Sequence, residues 1–189
     1  METTYIEIDS PDKHLSDVLE EIPSNVILYK TLTGIGATYS EIKAQRHSII
    51  IEPNVPVIIG KCNSAKHKND NLLGVYEGVT TDRIGASRGK YYKILTTPES
   101  FTKVKDAFLI FNGKIYNTCF LLIDEAHKTI KDVDYRSDIV LPMNDFFKFK
   151  GKALVSATPL KFSDPRFEEN GFSIIKIEPT YDYAKEIDI

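Results

Sequence analysis

The sequence has no tryptophan and only two cysteines, two methionines and four histidines among 189 residues. The two cysteines, Cys62 and Cys119, make no disulfide framework, so stability must come from a packed core. No apolar run approaches the roughly 20 residues that a membrane-spanning helix needs. No signal peptide is legible at the start, and the expected compartment is cytoplasmic. A basic excess is also missing: 24 Lys and Arg stand against 27 Asp and Glu, a net charge of −3. That excludes a global positive field drawing the chain to nucleic acid, so any such contact needs a local patch. Repeats and low-complexity segments are absent as well. What remains is an ordinary globular composition, 42% hydrophobic and 27% charged, long enough for a single domain over residues 1–189.

Against these absences stands one informative stretch, Cys119-Phe120-Leu121-Leu122-Ile123-Asp124-Glu125-Ala126-His127. Its apolar part has the length and composition of a buried parallel strand. A carboxylate at the C-terminal end of such a strand lies in the crevice where open α/β sheets bind ligands. Comparable short runs occur at 4–8, 25–30, 48–51, 72–76, 91–95, 152–155 and 172–177. Helical patterns fall between them. Leu15, Val18, Leu19 and Ile22 form one apolar face, and Phe101, Val104, Phe108 and Phe111 form another. Further helices are expected over Tyr39–Arg46, from Val55, over Thr80–Ser87 and over Met143–Phe149. Strands alternating with helices predict an α/β fold with a mostly parallel central sheet flanked by helices. Residues 1–25 read as an N-terminal strand and helix, and 178–189 as a tail or the start of a linker. Lys61–Asn71 is polar and mixed in charge and reads as a surface loop, with Lys61, Lys66 and Lys68 open to phosphates or simply to water. Pro159–Glu169 also reads as loop.

Between the strand Asn25–Lys30 and the helix from Tyr39 lies Thr31-Leu32-Thr33-Gly34-Ile35-Gly36-Ala37-Thr38. Strand, glycine loop and helix form the context of a phosphate-binding loop, because glycines let backbone N–H groups approach a phosphate. Here the chain resembles the first RecA-like domain of superfamily 2 (DEAD/DEAH-box type) helicases, a P-loop NTPase fold. Asp124-Glu125-Ala126-His127 resembles motif II, and Ser156-Ala157-Thr158 resembles motif III. Thr33, Gly34, Gly36 and Thr38 match motif I, Thr-Gly-x-Gly-Lys-Thr. Ala37 stands where that motif has its lysine. The likeness extends from Val26 to Ile177.

The resemblance implies a site for ATP and Mg²⁺. Thr33, Gly34, Ile35, Gly36, Ala37 and Thr38 would cradle the phosphates. Thr38 and Asp124 would hold magnesium, partly through water, Glu125 would polarise the attacking water, and His127 would assist by a hydrogen bond. Ser156, Ala157 and Thr158 would couple that site to DNA or RNA. Nucleic-acid backbone contacts would fall at Pro53, Thr97 and Pro98, the last two resembling motif Ib, with Arg88 and Lys90 nearby. Lys30, just before the loop, could lend the charge that Ala37 lacks, or could simply end a strand in water. Tyr5 and Tyr29 are candidates to stack on adenine. A second RecA-like domain, in the same or another chain, would complete the site, and little or no hydrolysis is expected from this chain alone. The rival is a non-catalytic binding or scaffold module with a degenerate ATP site.

Two other constellations fail on the sequence itself. Cys62, His67, Cys119 and His127 match no common zinc spacing, and Cys119 opens a buried strand. Ser156 and His127 suggest a hydrolase pair, but Ser156 lies outside any Gly-x-Ser-x-Gly elbow.

Overall fold

A computed structural model describes residues 1–31, 34–86, 89–111, 114–131, 140–159 and 164–181. The strands are β1 (Thr3–Ile8), β2 (Val26–Lys30), β3 (His47–Ile51), β4 (Leu72–Val75), β5 (Lys93–Thr96), β6 (Cys119–Ile123), β7 (Gly151–Ser156) and β8 (Ser173–Pro179). They form one eight-stranded sheet in the order β1-β8-β2-β7-β6-β3-β5-β4. Every pairing is parallel. The α/β expectation therefore holds, and the sheet is parallel throughout.

The helices are α1 (Leu15–Val18), α2 (Ala37–Lys43), α3 (Val55–Cys62), α4 (Thr81–Gly85), α5 (Phe101–Phe111), α6 (Ile115–Thr118), α7 (Ala126–Lys131), α8 (Val140–Phe146) and α9 (Arg166–Glu169). The central strands read as unbroken apolar runs because both sheet faces are covered. Successive side chains point to opposite faces. Ile49, Ile51, Leu121, Ile123 and Leu154 enter one core cluster, while Ile50, Phe120, Leu122, Ala153 and Val155 enter the other. All five residues of β6 are buried.

Four sequence expectations change. The first helix covers only Leu15–Val18, and Leu19 is already extended, although Leu15 and Ile22 are both fully buried. Their apolar spacing reports burial without a continuous helix. Lys61 is not in a loop: α3 runs through it to Cys62, capped by the Asn54 side chain accepting from Val57 N–H at 3.1 Å. Ala65–His67 within the supposed loop is a 3₁₀ turn. Finally, α9 forms inside the presumed loop after Pro159, anchored by buried Phe167.

Candidate functional site

The strands β2, β7, β6 and β3 are consecutive in the sheet, so their C-terminal ends stand side by side. Lys30 ends β2, Ser156 ends β7, Asp124 follows β6 and Glu52 follows β3. Topology thus gathers residues distant in sequence at one edge, where parallel sheets bind ligands.

Asp124 is the hub and is almost fully buried. Its Oδ1 accepts from Lys30 Nζ at 3.0 Å and from the Glu125 backbone N–H at 2.9 Å. Its Oδ2 accepts from the Thr38 hydroxyl at 2.6 Å. Lys30 is also buried and reaches Glu125 Oε1 at 2.7 Å, so one ammonium bridges both carboxylates. On the other side, Lys61 Nζ donates to Thr38 Oγ1 at 2.8 Å and to Glu52 Oε1 at 2.6 Å, and lies 3.8 Å from Asp124 Oδ2.

These charges set each other's protonation. Burial alone would lower the Lys30 pKa, but Asp124 and Glu125 outweigh it and hold the ammonium above its ordinary value. Burial likewise would raise Asp124; Lys30, Thr38 and Lys61 reverse that and keep it ionised below the usual range. Burial pushes Glu52 up, Lys61 opposes it, and nearby Asp124 adds to the rise.

A second chain of contacts runs from Glu125 to β7. Glu125 adopts φ +49°, a left-handed conformation that a non-glycine residue holds only when its surroundings enforce it. Its Oε2 lies 3.4 Å from His127 Nδ1, which lies 3.1 Å from Ser156 Oγ. The Ser156 hydroxyl donates to the Thr158 carbonyl at 2.7 Å and accepts from Thr158 N–H at 3.1 Å. With the Ser156 hydrogen so committed, His127 Nδ1 is the donor in their bond. Glu125, His127, Ser156 and Thr158 therefore form one connected path, with Ala157 in its turn.

The glycine loop closes the site from the β2 side. Gly34 (φ +82°) and Gly36 (φ +88°) are both left-handed, which explains glycine at those positions. Ile35 is buried and its carbonyl accepts from Leu15 N–H at 2.8 Å, so α1 braces the loop. Ala37 opens α2 and packs as a buried methyl in an apolar cluster. Thr33 lies outside the described residues.

The expected nucleic-acid residues are not all brought together. Pro53 and Thr97 follow the neighbouring strands β3 and β5 and share the C-terminal edge of the sheet with the site. Thr97 and Pro98 are buried, and the Thr97 hydroxyl accepts from Ser100 N–H at 3.3 Å. Exposed Lys90 precedes β5 and so lies toward the other edge, one strand length of about 13 Å away. Arg88 lies outside the described residues. The adenine candidates are also apart: Tyr5 is exposed on edge strand β1 under Lys176, while Tyr29 is half-buried in β2. The zinc set stays dispersed, with no group of three His, Cys, Asp or Glu placed to hold a metal among the described residues.

Sequence reasoning missed Glu52 entirely and put Lys61 in the wrong environment. A signal existed for Lys61. It lies three residues after fully buried Ile58, hence on the inward face of a helix if the helix continues.

No family model matches the chain. No curated protein matches it either. Solved structures do. A hypothetical ATP-dependent RNA helicase from Sulfolobus tokodaii aligns over 81% of this chain and 48% of its own, with 15% identity and a TM-score of 0.54. The Hef helicase domain of Pyrococcus furiosus aligns over 88% and 38%, with 14% identity and a TM-score of 0.55. A DEAD box protein from Methanococcus jannaschii aligns over 81% and 45%, with 21% identity and a TM-score of 0.51. The chain spans less than half the length of each of these structures. At such identities the likeness shows the fold: a parallel sheet with flanking helices, as in the RecA-like domains of helicases. No helix among the described residues is long and apolar enough to cross a membrane.

Proposed function

We propose that this chain is the ATP-binding, first RecA-like domain of a superfamily 2 type helicase or nucleic-acid translocase. The observation that carries the reading is Lys30 bridging Asp124 and Glu125 beside the Thr38 hydroxyl. A buried ammonium on two carboxylates at the mouth of a glycine loop is a cation ready to exchange carboxylate for phosphate oxygens. Motif I would supply that charge from position 37; here it comes from the end of β2.

The donors suit magnesium. The Thr38 hydroxyl oxygen and Asp124 Oδ2 are hard oxygen ligands 2.6 Å apart. Magnesium is commonly held by one or two carboxylates together with waters and substrate phosphates. When bound, it would offset the charge that develops on the transferred phosphoryl group. Glu125 would orient and polarise the attacking water. His127, through Ser156 and Thr158, would tie the position of Glu125 to the end of β7 and so to a nucleic-acid backbone passing over the strand ends. DNA or RNA, and a second RecA-like domain that closes the site, are the partners this reading requires.

The rival, a scaffold module with a degenerate site, draws on Ala37, whose methyl is packed into an apolar cluster where the motif has charge. ATP titration separates the two. The expected result is binding that raises thermal stability by mass action. No thermal shift at millimolar ATP with magnesium would favour the scaffold.

A further inference from the structure

We propose that the Lys61 ammonium is a tethered cation seated on the oxygens that would hold the divalent metal, so that lysine and metal compete for Thr38 and Asp124. Three oxygens surround Lys61 Nζ: Glu52 Oε1 at 2.6 Å, Thr38 Oγ1 at 2.8 Å and Asp124 Oδ2 at 3.8 Å. The Thr38 hydroxyl donates its hydrogen to Asp124, so its remaining lone pairs are what it can offer a cation. One of them already faces Lys61.

Glu52 explains why the lysine is there. Its carboxylate is 1% exposed, and Lys61 is its ion-pair partner among the described residues. A buried carboxylate is stable only when paired. Glu52 ends the β3 side of the turn and Lys61 lies on the inner face of α3, so one strand–helix unit delivers both.

The charges count in the same direction. Asp124, Glu125 and Glu52 carry three negative charges, and Lys30 and Lys61 carry two positive ones, a net of −1. A divalent ion added to both ammoniums would turn the cluster positive. Nucleotide phosphates bring the negative charge that a metal and both ammoniums together call for, and Lys61 can turn to them. Its side chain is 26% exposed on a flexible stem. Lys61 thereby makes metal entry conditional on nucleotide. This inference uses the metal site of the proposed function but needs no nucleotide to be tested.

The experiment is Mn²⁺ binding followed by electron paramagnetic resonance, without nucleotide. Lys61→Gln, whose amide can still donate to Glu52, should bind Mn²⁺ at least tenfold more tightly than wild type. Adding Asp124→Asn should erase the gain. Lys61→Gln/Glu52→Gln keeps a neutral buried pair and should still gain about threefold, which guards against misfolding of the single variant. Lys30→Gln removes a charge closer to Asp124, at 3.0 Å against 3.8 Å, but on Oδ1, and should gain less than Lys61→Gln. Equal Mn²⁺ affinity in wild type and Lys61→Gln, a gain that survives Asp124→Asn, or an equal gain in Lys30→Gln would each overturn the proposal. ATP binding plays no part in this titration, so its absence would sink the proposed function and leave this result standing.

Discussion

Lysines withdrawn wholly or partly from solvent stand at both ends of the sheet, and they live in different chemistry. At the C-terminal edge, Lys30 and Lys61 face carboxylates and a hydroxyl. Toward the N-terminal edge, Lys93 donates to the carbonyls of Glu41 and Ala44, each at 2.8 Å, and to Ser48 Oγ at 3.0 Å. Lys152 donates to the Phe149 carbonyl at 3.0 Å and the Asn170 amide oxygen at 3.1 Å. Lys93 and Lys152 tie down the segments at the ends of helices, and carbonyls do not compensate a buried charge fully. Burial pushes Lys93 down to about 8, whereas Lys30 is held above its ordinary value. The lesson is that burial alone does not mark a functional lysine; ionised partners that a ligand could replace do.

Hydrolysis should separate the two edges most, measured in an assembly that includes a second RecA-like domain. Lys30→Ala should abolish turnover. Glu125→Gln should lower it by about 100-fold or more while leaving nucleotide binding intact, the size expected for loss of a positioned base. Turnover unaffected by Glu125→Gln would remove the helicase-type mechanism.

The other edge should respond in stability instead. Lys93→Met leaves two carbonyls near the end of α2 without their donor and should cost about 1–3 kcal/mol, read by chemical denaturation. Its nucleotide affinity should stay within about twofold of wild type. A large affinity loss there would erase the distinction between the two edges.

The same lysine predicts a pH dependence. Folded Lys93 releases its proton near 8, and the unfolded side chain near 10.5. Between those values the unfolded state binds more protons, so stability rises with pH. Relative to Lys93→Met, wild type should gain stability from pH 8 to about 10, read as paired denaturation curves. A falling or flat difference would contradict the assigned environment.

The sequence was most legible where one structural cause dominates. A parallel core strand must be apolar on both faces, so β6 and the acidic pair after it stood out. The glycine loop was legible because Gly34 and Gly36 need left-handed backbone. Lys61 was misplaced because it opens the polar, mixed-charge run to Asn71, which reads as loop. Buried Ile58 and the Asn54 cap hold the helix through Lys61. Glu52 was illegible because its role depends on three segments that only the strand order brings together. The pairing of Lys90 with Thr97 failed for the opposite reason: nearness in sequence hid the length of β5 between them.

The central claim is that Lys30 replaces the missing loop lysine as the phosphate-facing charge. Calorimetric ATP affinity, with magnesium, tests it most directly on wild type, Lys30→Ala and Lys93→Met. Lys30→Ala should bind at least tenfold more weakly, and Lys93→Met should change by no more than twofold. Equal affinity in wild type and Lys30→Ala would contradict it.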